Sequence, residues 1–168
     1  LFGQSQHFGL KAILLVSLIF ALTFGAHKMQ IMSKAPKPVG LYPLARQVGE
    51  VLFLSGVGPR LAGSDANDSG VPGLELDHNG NFKAFDFEAQ VHSVFANVKA
   101  ILEENGSSWD KLVDIQVFLV DMKRDFQAFN KIYAEYFKDI DPKPCRTTIA
   151  INALPTPIAI ELKCVATI

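Results

Sequence analysis

Between Asp86 and Asn105 the apolar residues fall at Phe87, Val91, Val94, Phe95, Val98, Ile101 and Leu102. That three-and-four spacing predicts one face of a helix. Asp86 stands where a side chain can cap the first turn, and Gly106 stands where a helix end favours glycine. Alternation then takes over. Val113, Ile115, Val117 and Leu119 interleave with Asp114, Gln116 and Phe118, which predicts a strand. A second helix is predicted from about Asp125, with Phe126, Phe129, Ile132, Tyr133, Tyr136 and Phe137 on one face. Two strands follow. In the first, Arg146, Thr148, Ala150 and Asn152 oppose Cys145, Thr147, Ile149 and Ile151. In the second, Ile158, Ile160, Leu162, Cys164 and Ala166 form an apolar face opposite Glu161 and Lys163. Leu154-Pro155-Thr156-Pro157 between them is a rigid turn, because proline fixes φ and removes a donor. Upstream, Val51 to Ser55, ended by Gly56, reads as a buried strand. The stretch from Arg60 to Asn81, rich in Gly, Asp and Asn, reads as a long irregular loop of the kind that is usually functional or mobile.

This order predicts an α+β domain: a two-layer sandwich with both helices on one sheet face. The other face is left bare, and covering it takes a partner, so a homo-oligomer is expected. A length of 168 residues suits one domain. With 49% hydrophobic and 20% charged residues the chain is not disordered. A net charge of −1 argues against a dedicated nucleic-acid binder. Cys145 and Cys164 cannot make a disulfide framework, and the four histidines (His7, His27, His78, His92) are scattered, so no metal site is expected.

Residues 1–31 stand apart from the domain at 32–168. The apolar run from Ala12 to Ala26 is shorter than the roughly 20 residues a membrane-spanning helix needs. Three readings stay open: a signal-like segment, a membrane anchor, or translated upstream sequence with the start at Met29 or Met32. A secreted or membrane-anchored protein is expected if the N-terminal apolar segment is genuine, with membrane association only if 12–26 is an anchor; otherwise a cytoplasmic location is expected.

Arg146 and Glu161 each interrupt an apolar strand. If the two strands fold back antiparallel, a guanidinium that grips carboxylates and a carboxylate that can orient a water come close together. Spacing alone leaves two readings open, a site or a cross-strand ion pair, with Lys163 an alternative partner for Glu161. Cys145 has no histidine near it in sequence and reads as a small buried apolar residue, while His92 lies off the apolar stripe and reads as a solvated or locally bonded histidine. The charge run Asp121, Lys123, Arg124, Asp125 reads as a solvated approach to the second helix.

Several segments together resemble the RidA (YjgF) family of imine and enamine deaminases, in matching order over about 32–168. They are Gly40-Leu41-Tyr42-Pro43, Leu52-Phe53-Leu54-Ser55-Gly56, Asn97-Val98-Lys99-Ala100-Ile101-Leu102, Val117-Phe118-Leu119, Asn130 to Phe137, Cys145-Arg146-Thr147-Thr148 and Ile160-Glu161-Leu162. The resemblance implies a chorismate-mutase-like fold with a mixed sheet, and a homotrimer with active sites between subunits. It places the carboxylate-binding arginine on Arg146 and the water-positioning glutamate on Glu161. The other cleft residues fall on Tyr42, Ser55, Gly56, Asn130 and Thr148. No cofactor is implied, because an imine is already electrophilic. Val57-Gly58-Pro59-Arg60, the long following loop, Gly106 to Lys111, Met122 to Phe126 and Leu154 to Glu161 look like the 2-aminomuconate deaminase branch. That dicarboxylate would suit a second cation. Arg60 is the candidate, with a solvated loop arginine as the other reading. Two alternatives remain: a general deaminase of 2-iminobutanoate, 2-iminopropanoate and 2-aminoacrylate, and a non-catalytic trimer that binds small carboxylates.

Overall fold

The computed structural model describes residues 34–62, 64, 70–79 and 82–168. The three readings of 1–31 therefore lie outside the described residues. The elements are β1 (Ala45–Val48), β2 (Val51–Leu54), β3 (Leu74–Leu76), β4 (Phe82–Phe85), α1 (Phe87–Glu104), a 3-10 turn (Trp109–Lys111), β5 (Leu112–Leu119), α2 (Met122–Phe137), β6 (Cys145–Ala150) and β7 (Ile160–Thr167). The main sheet runs β1-β2-β7-β5-β6. Only β5 and β6 are parallel, joined by α2 as a crossover, and the other neighbours are antiparallel. This is a mixed α+β fold with two helices on one face of the sheet, as the hydrophobic pattern predicted, and the sheet is mixed, as the resemblance implied.

Both ends of α1 behave as local chemistry requires. Asp86 Oδ1 accepts from the Ala89 amide at 3.1 Å. At the C-terminus the amides of Gly106 and Ser107 bond back to the carbonyls of Glu103 and Leu102. That closure needs a left-handed residue, which Gly106 supplies at φ 78°. Gly49 does the same in the β1–β2 hairpin at φ 60°, while Glu50 keeps a negative φ, so the turn is type II′. The core lies between the helices and the inner sheet face. Val91, Val94, Phe95, Val98, Ile101 and Leu102 of α1 and Phe129, Ile132 and Phe137 of α2 meet Ile115, Val117, Leu119, Leu162, Cys164 and Ala166. Burial pushes the Cys164 thiol up to about 12, so it is inert.

Besides Cys145, which is exposed rather than buried, four expectations need correction. First, β6 and β7 run in opposite directions but are not neighbours, because β5 lies between them. Second, part of the long loop is ordered as the β3–β4 hairpin, whose turn is held by the Asn79 amide on Asp77 Oδ1 at 2.8 Å. Third, α2 starts at Met122, where Asp121 accepts from the Arg124 amide at 3.0 Å. Fourth, Asp125 is not solvated. It is buried, and Arg124 grips its carboxylate at 2.7 and 2.8 Å while stacking over Phe85.

The second sheet face carries Phe53, Glu161, Lys163, Val165, Phe118 and Ile149 by register. Phe53 is 45% exposed and Ile149 43%. Among the described residues no helix is long and apolar enough to cross a membrane.

Candidate active site

Glu161 enters the site because β7 carries it on the bare face, beside Phe118 of β5. The chain leaving β2 passes directly against it. Val57 bridges to Leu162 by amide–carbonyl bonds of 2.7 and 2.9 Å, which brings Gly56 under the Glu161 carboxylate. A Cβ at Gly56 would stand 2.4 Å from Glu161 Oε1, so only glycine leaves room for the carboxylate there. Glu161 is half-buried, and burial raises its pKa above the usual carboxylate range.

The carboxylate lines a cavity of about 30 Å³ together with Tyr42, Gly56, Gly58, Arg60 and Thr156. That is room for a water or one small polar group. Tyr42 and Gly56 also border an open groove of about 470 Å³ that adds Ser55, Arg46 and Lys163. The Ser55 hydroxyl donates to the Pro43 carbonyl at 2.7 Å and its amide to Leu44 at 2.9 Å. Those two bonds fix the Tyr42 segment against the end of β2.

Arg60 is not a solvated loop arginine. Its side chain is buried, and one nitrogen donates to the Lys37 carbonyl. The segment that carries it is clamped by α1. Asn97 Nδ2 donates to the carbonyls of Gly58 at 2.9 Å and Arg60 at 2.7 Å, and the Ser93 hydroxyl donates to Pro59 at 2.8 Å. Gln90 accepts from the Ala159 amide at 2.8 Å, which ties down the residue two before Glu161. The clamping roles of these three α1 side chains were not anticipated. The signal was present: Gln90 and Asn97 share one helix face with Val94 and Ile101, so two amides sit in an apolar stripe.

Arg146 lies on the other face. Its β5 partner is Ile115, whose side chain points into the core, so Arg146 points toward α2. At the open edge of the sheet its guanidinium rests on Tyr133 at 4.5 Å and Phe129 at 5.6 Å, and the residue is exposed. Cation–π support holds the group while leaving its N–H edge free to grip an anion. Thr148 follows on the same face with a buried hydroxyl that makes no hydrogen bond. Asn130 is half-buried on α2, next to Phe129.

The predicted residues therefore form two groups, and within one chain the groups do not meet. Arg146 and Glu161 are roughly 14 Å apart, two strand spacings across and three residues along, and on opposite faces. Neither group takes part in an ion pair within 4 Å among the described residues, which removes the cross-strand pair. No three His, Cys, Asp or Glu side chains among those residues gather as metal ligands. One group can dock a carboxylate. The other holds a carboxyl of raised pKa beside a water-sized space, the setting of a residue that orients and deprotonates water.

The sequence profile of the Endoribonuclease L-PSP family matches residues 32–168. Over 133 residues the chain is 35% identical to a RutC family protein of Aquifex aeolicus, covering 79% of this chain and 93% of that one. It is 33% identical over 143 residues to the chloroplastic Reactive Intermediate Deaminase A of Arabidopsis thaliana, covering 84% and 67%. The crystal structure of the E. coli YjgF gene product superposes with a TM-score of 0.64 at 26% identity, covering 80% of this chain and 94% of that one.

Proposed function

The chain belongs to the Endoribonuclease L-PSP (RidA/YjgF) family, and from that premise we propose that it is a hydrolytic imine and enamine deaminase acting on 2-aminomuconate. The relative named Reactive Intermediate Deaminase A supports deamination at the level of the family. The substrate rests on the local segments, Val57 to Arg60 and Leu154 to Glu161 among them, that resemble the 2-aminomuconate deaminases.

The observation that carries the reading is the Glu161 carboxylate, held against Gly56 at the wall of a water-sized cavity. The enamine tautomerises to an imine. Arg146 binds the carboxylate beside the reacting carbon and so orients it. Glu161 accepts a proton from water as the oxygen bonds to that carbon and hands it to the imine nitrogen, forming a neutral carbinolamine. Glu161 then takes the carbinolamine hydroxyl proton and passes it to nitrogen as the C–N bond breaks, so ammonia leaves with a ketone remaining. Tyr42, Ser55, Asn130 and Thr148 line the cleft.

Because Arg146 and Glu161 face opposite ways, one substrate meets both only where two chains come together. A homotrimer with clefts between subunits fits this, and it would cover the exposed Phe53 and Ile149. The test is direct. 2-Aminomuconate is generated by a coupled upstream enzyme, and its ultraviolet absorbance and ammonia release are followed beside an Arg146→Ala control. Stoichiometric ammonia, lost in the control, supports enzyme and site together. Turnover of 2-aminoacrylate alone would transfer the assignment to the general deaminase. Turnover of neither would leave a carboxylate-binding trimer.

A further inference from the structure

Arg60 is only 7% exposed. One terminal nitrogen, Nη2, is used by the Lys37 carbonyl; the other, Nη1, is buried and makes no hydrogen bond. Among the described residues no carboxylate pairs with it within 4 Å. A lysine in such a place could shed its proton, but a guanidinium cannot. Among the described residues the site therefore holds a buried positive charge with no ion-pair partner, which is an expensive arrangement unless an anion joins it.

Its placement is built rather than incidental. Asn97 and Ser93 pin the backbone of Gly58, Pro59 and Arg60 from one side, and the Leu61 amide bonds to the Gly70 carbonyl at 2.7 Å on the other. The side chain lines the same cavity as Glu161 and Tyr42. An anion entering a space walled by Glu161 meets like charge, and a cation in that wall is what would let it enter. The volume, about 30 Å³, admits one small polar group, such as a carboxylate oxygen reaching in to Arg60.

We propose that Arg60 is an anion subsite that takes the second carboxylate of the substrate, so that the cleft selects dicarboxylic over monocarboxylic imines. The choice of substrate class rests on the deaminase reading; the anion site itself does not.

Calorimetric titration of the full chain with muconate and sorbate separates these points. The two probes share a six-carbon diene, and sorbate has one carboxylate fewer. Wild type is expected to bind muconate about tenfold or more tighter than sorbate. In Arg60→Gln that ratio should fall to about one with sorbate affinity unchanged. Equal affinities in wild type, or an unchanged ratio in Arg60→Gln, would overturn the proposal. Loss of both ligands together would also overturn it and make Arg60 a loop clip. Should Arg60→Gln fail to fold, Arg60→Lys keeps charge and stem. Its single ammonium must choose between the Lys37 carbonyl and the anion, so its ratio should drop, and an unchanged ratio there is equally fatal. In parallel, kcat/KM is measured on 2-aminomuconate and 2-aminoacrylate. Wild type turning over neither defeats the deaminase reading, while the calorimetric ratio still decides Arg60.

Discussion

Replacing Gly56 by alanine tests the site through a single methyl group. The new Cβ would stand 2.4 Å from Glu161 Oε1 and 2.8 Å from its carboxyl carbon. To regain an ordinary contact of 3.4 Å the oxygen must retreat by about 1 Å. The Glu161 side chain is free to swing, whereas Gly56 is tied down through the bridge of Val57 to Leu162. The carboxylate, not the backbone, therefore gives way. A misplacement of that size costs on the order of a hundredfold in rate, about 2.7 kcal/mol of transition-state stabilisation. Gly56 has no left-handed φ, so alanine is conformationally acceptable. Folding stability should change by less than about 1 kcal/mol, since the entropy lost from the unfolded chain favours alanine.

The assay is steady-state decay of enamine absorbance with ammonia release, paired with thermal unfolding. Gly56→Ala should lower kcat about a hundredfold and leave Tm nearly unchanged. The double variant with Glu161→Gln should be no worse than Glu161→Gln alone, because both changes remove one interaction. A folded Gly56→Ala enzyme with kcat within about threefold of wild type would refute the reasoning. So would additive losses in the double variant, since they would mean that Gly56 acts on something other than Glu161.

Three further outcomes are expected. Arg146→Ala should reduce kcat/KM about a hundredfold, as loss of a charge-assisted grip on a carboxylate does, without changing Tm, because the residue is exposed; an unchanged kcat/KM would remove Arg146 from the site. Asn97→Ala leaves the carbonyls of Gly58 and Arg60 without their donor, so denaturant unfolding should show a loss of about 2–4 kcal/mol; no loss would mean that these bonds do not hold the segment. Burial raises the Glu161 pKa, so the stability tied to its neutral form is complete below the ordinary value of 4.5 and is lost as pH rises through the higher folded value. Glu161→Gln should match wild type near pH 4 and exceed it near pH 7, and a difference that grows toward acid would reverse the sign.

The elements that the chain reveals by pattern are those with one apolar and one polar side. α1, β5, β7 and most of α2 have that property, and α1 adds a cap at each end. β1 does not. It is an edge strand of sequence Ala-Arg-Gln-Val with no buried position, so no alternation marks it. The β3–β4 hairpin is short and lies among turn residues that mask it. The start of α2 is hidden because Asp125 is charged yet buried, its burial made possible by Arg124, the residue before it. Arg60 is the same case in a loop: nothing in the spacing of residues tells a solvated arginine from one enclosed by a helix more than thirty positions away. Periodicity reports the polarity of a position's surroundings, and a polar residue with a private partner defeats it.

The site shows the deeper limit. The pleat assigns Arg146 and Glu161 each to a face of its own strand, but which strands are neighbours depends on topology, and β5 stands between these two. Residues that look like a hairpin pair in sequence are thereby separated, and the odd offset along β5 between their partners, Ile115 and Phe118, puts them on opposite faces. If both act on one substrate, they come from different chains, and that has a consequence open to measurement. Arg146→Ala subunits keep Glu161, and Glu161→Gln subunits keep Arg146. Each variant alone should be nearly inactive. When the two are unfolded together and refolded as an equimolar mixture, a cleft is intact whenever its arginine comes from one variant and its glutamate from the other. Random assembly makes that true of about one cleft in four, so activity should recover to roughly a quarter of wild type. Mixing without subunit exchange should recover nothing. A refolded mixture that stays as inactive as its components would mean that each chain supplies both groups to its own site, and the division of the cleft between subunits would fall with it.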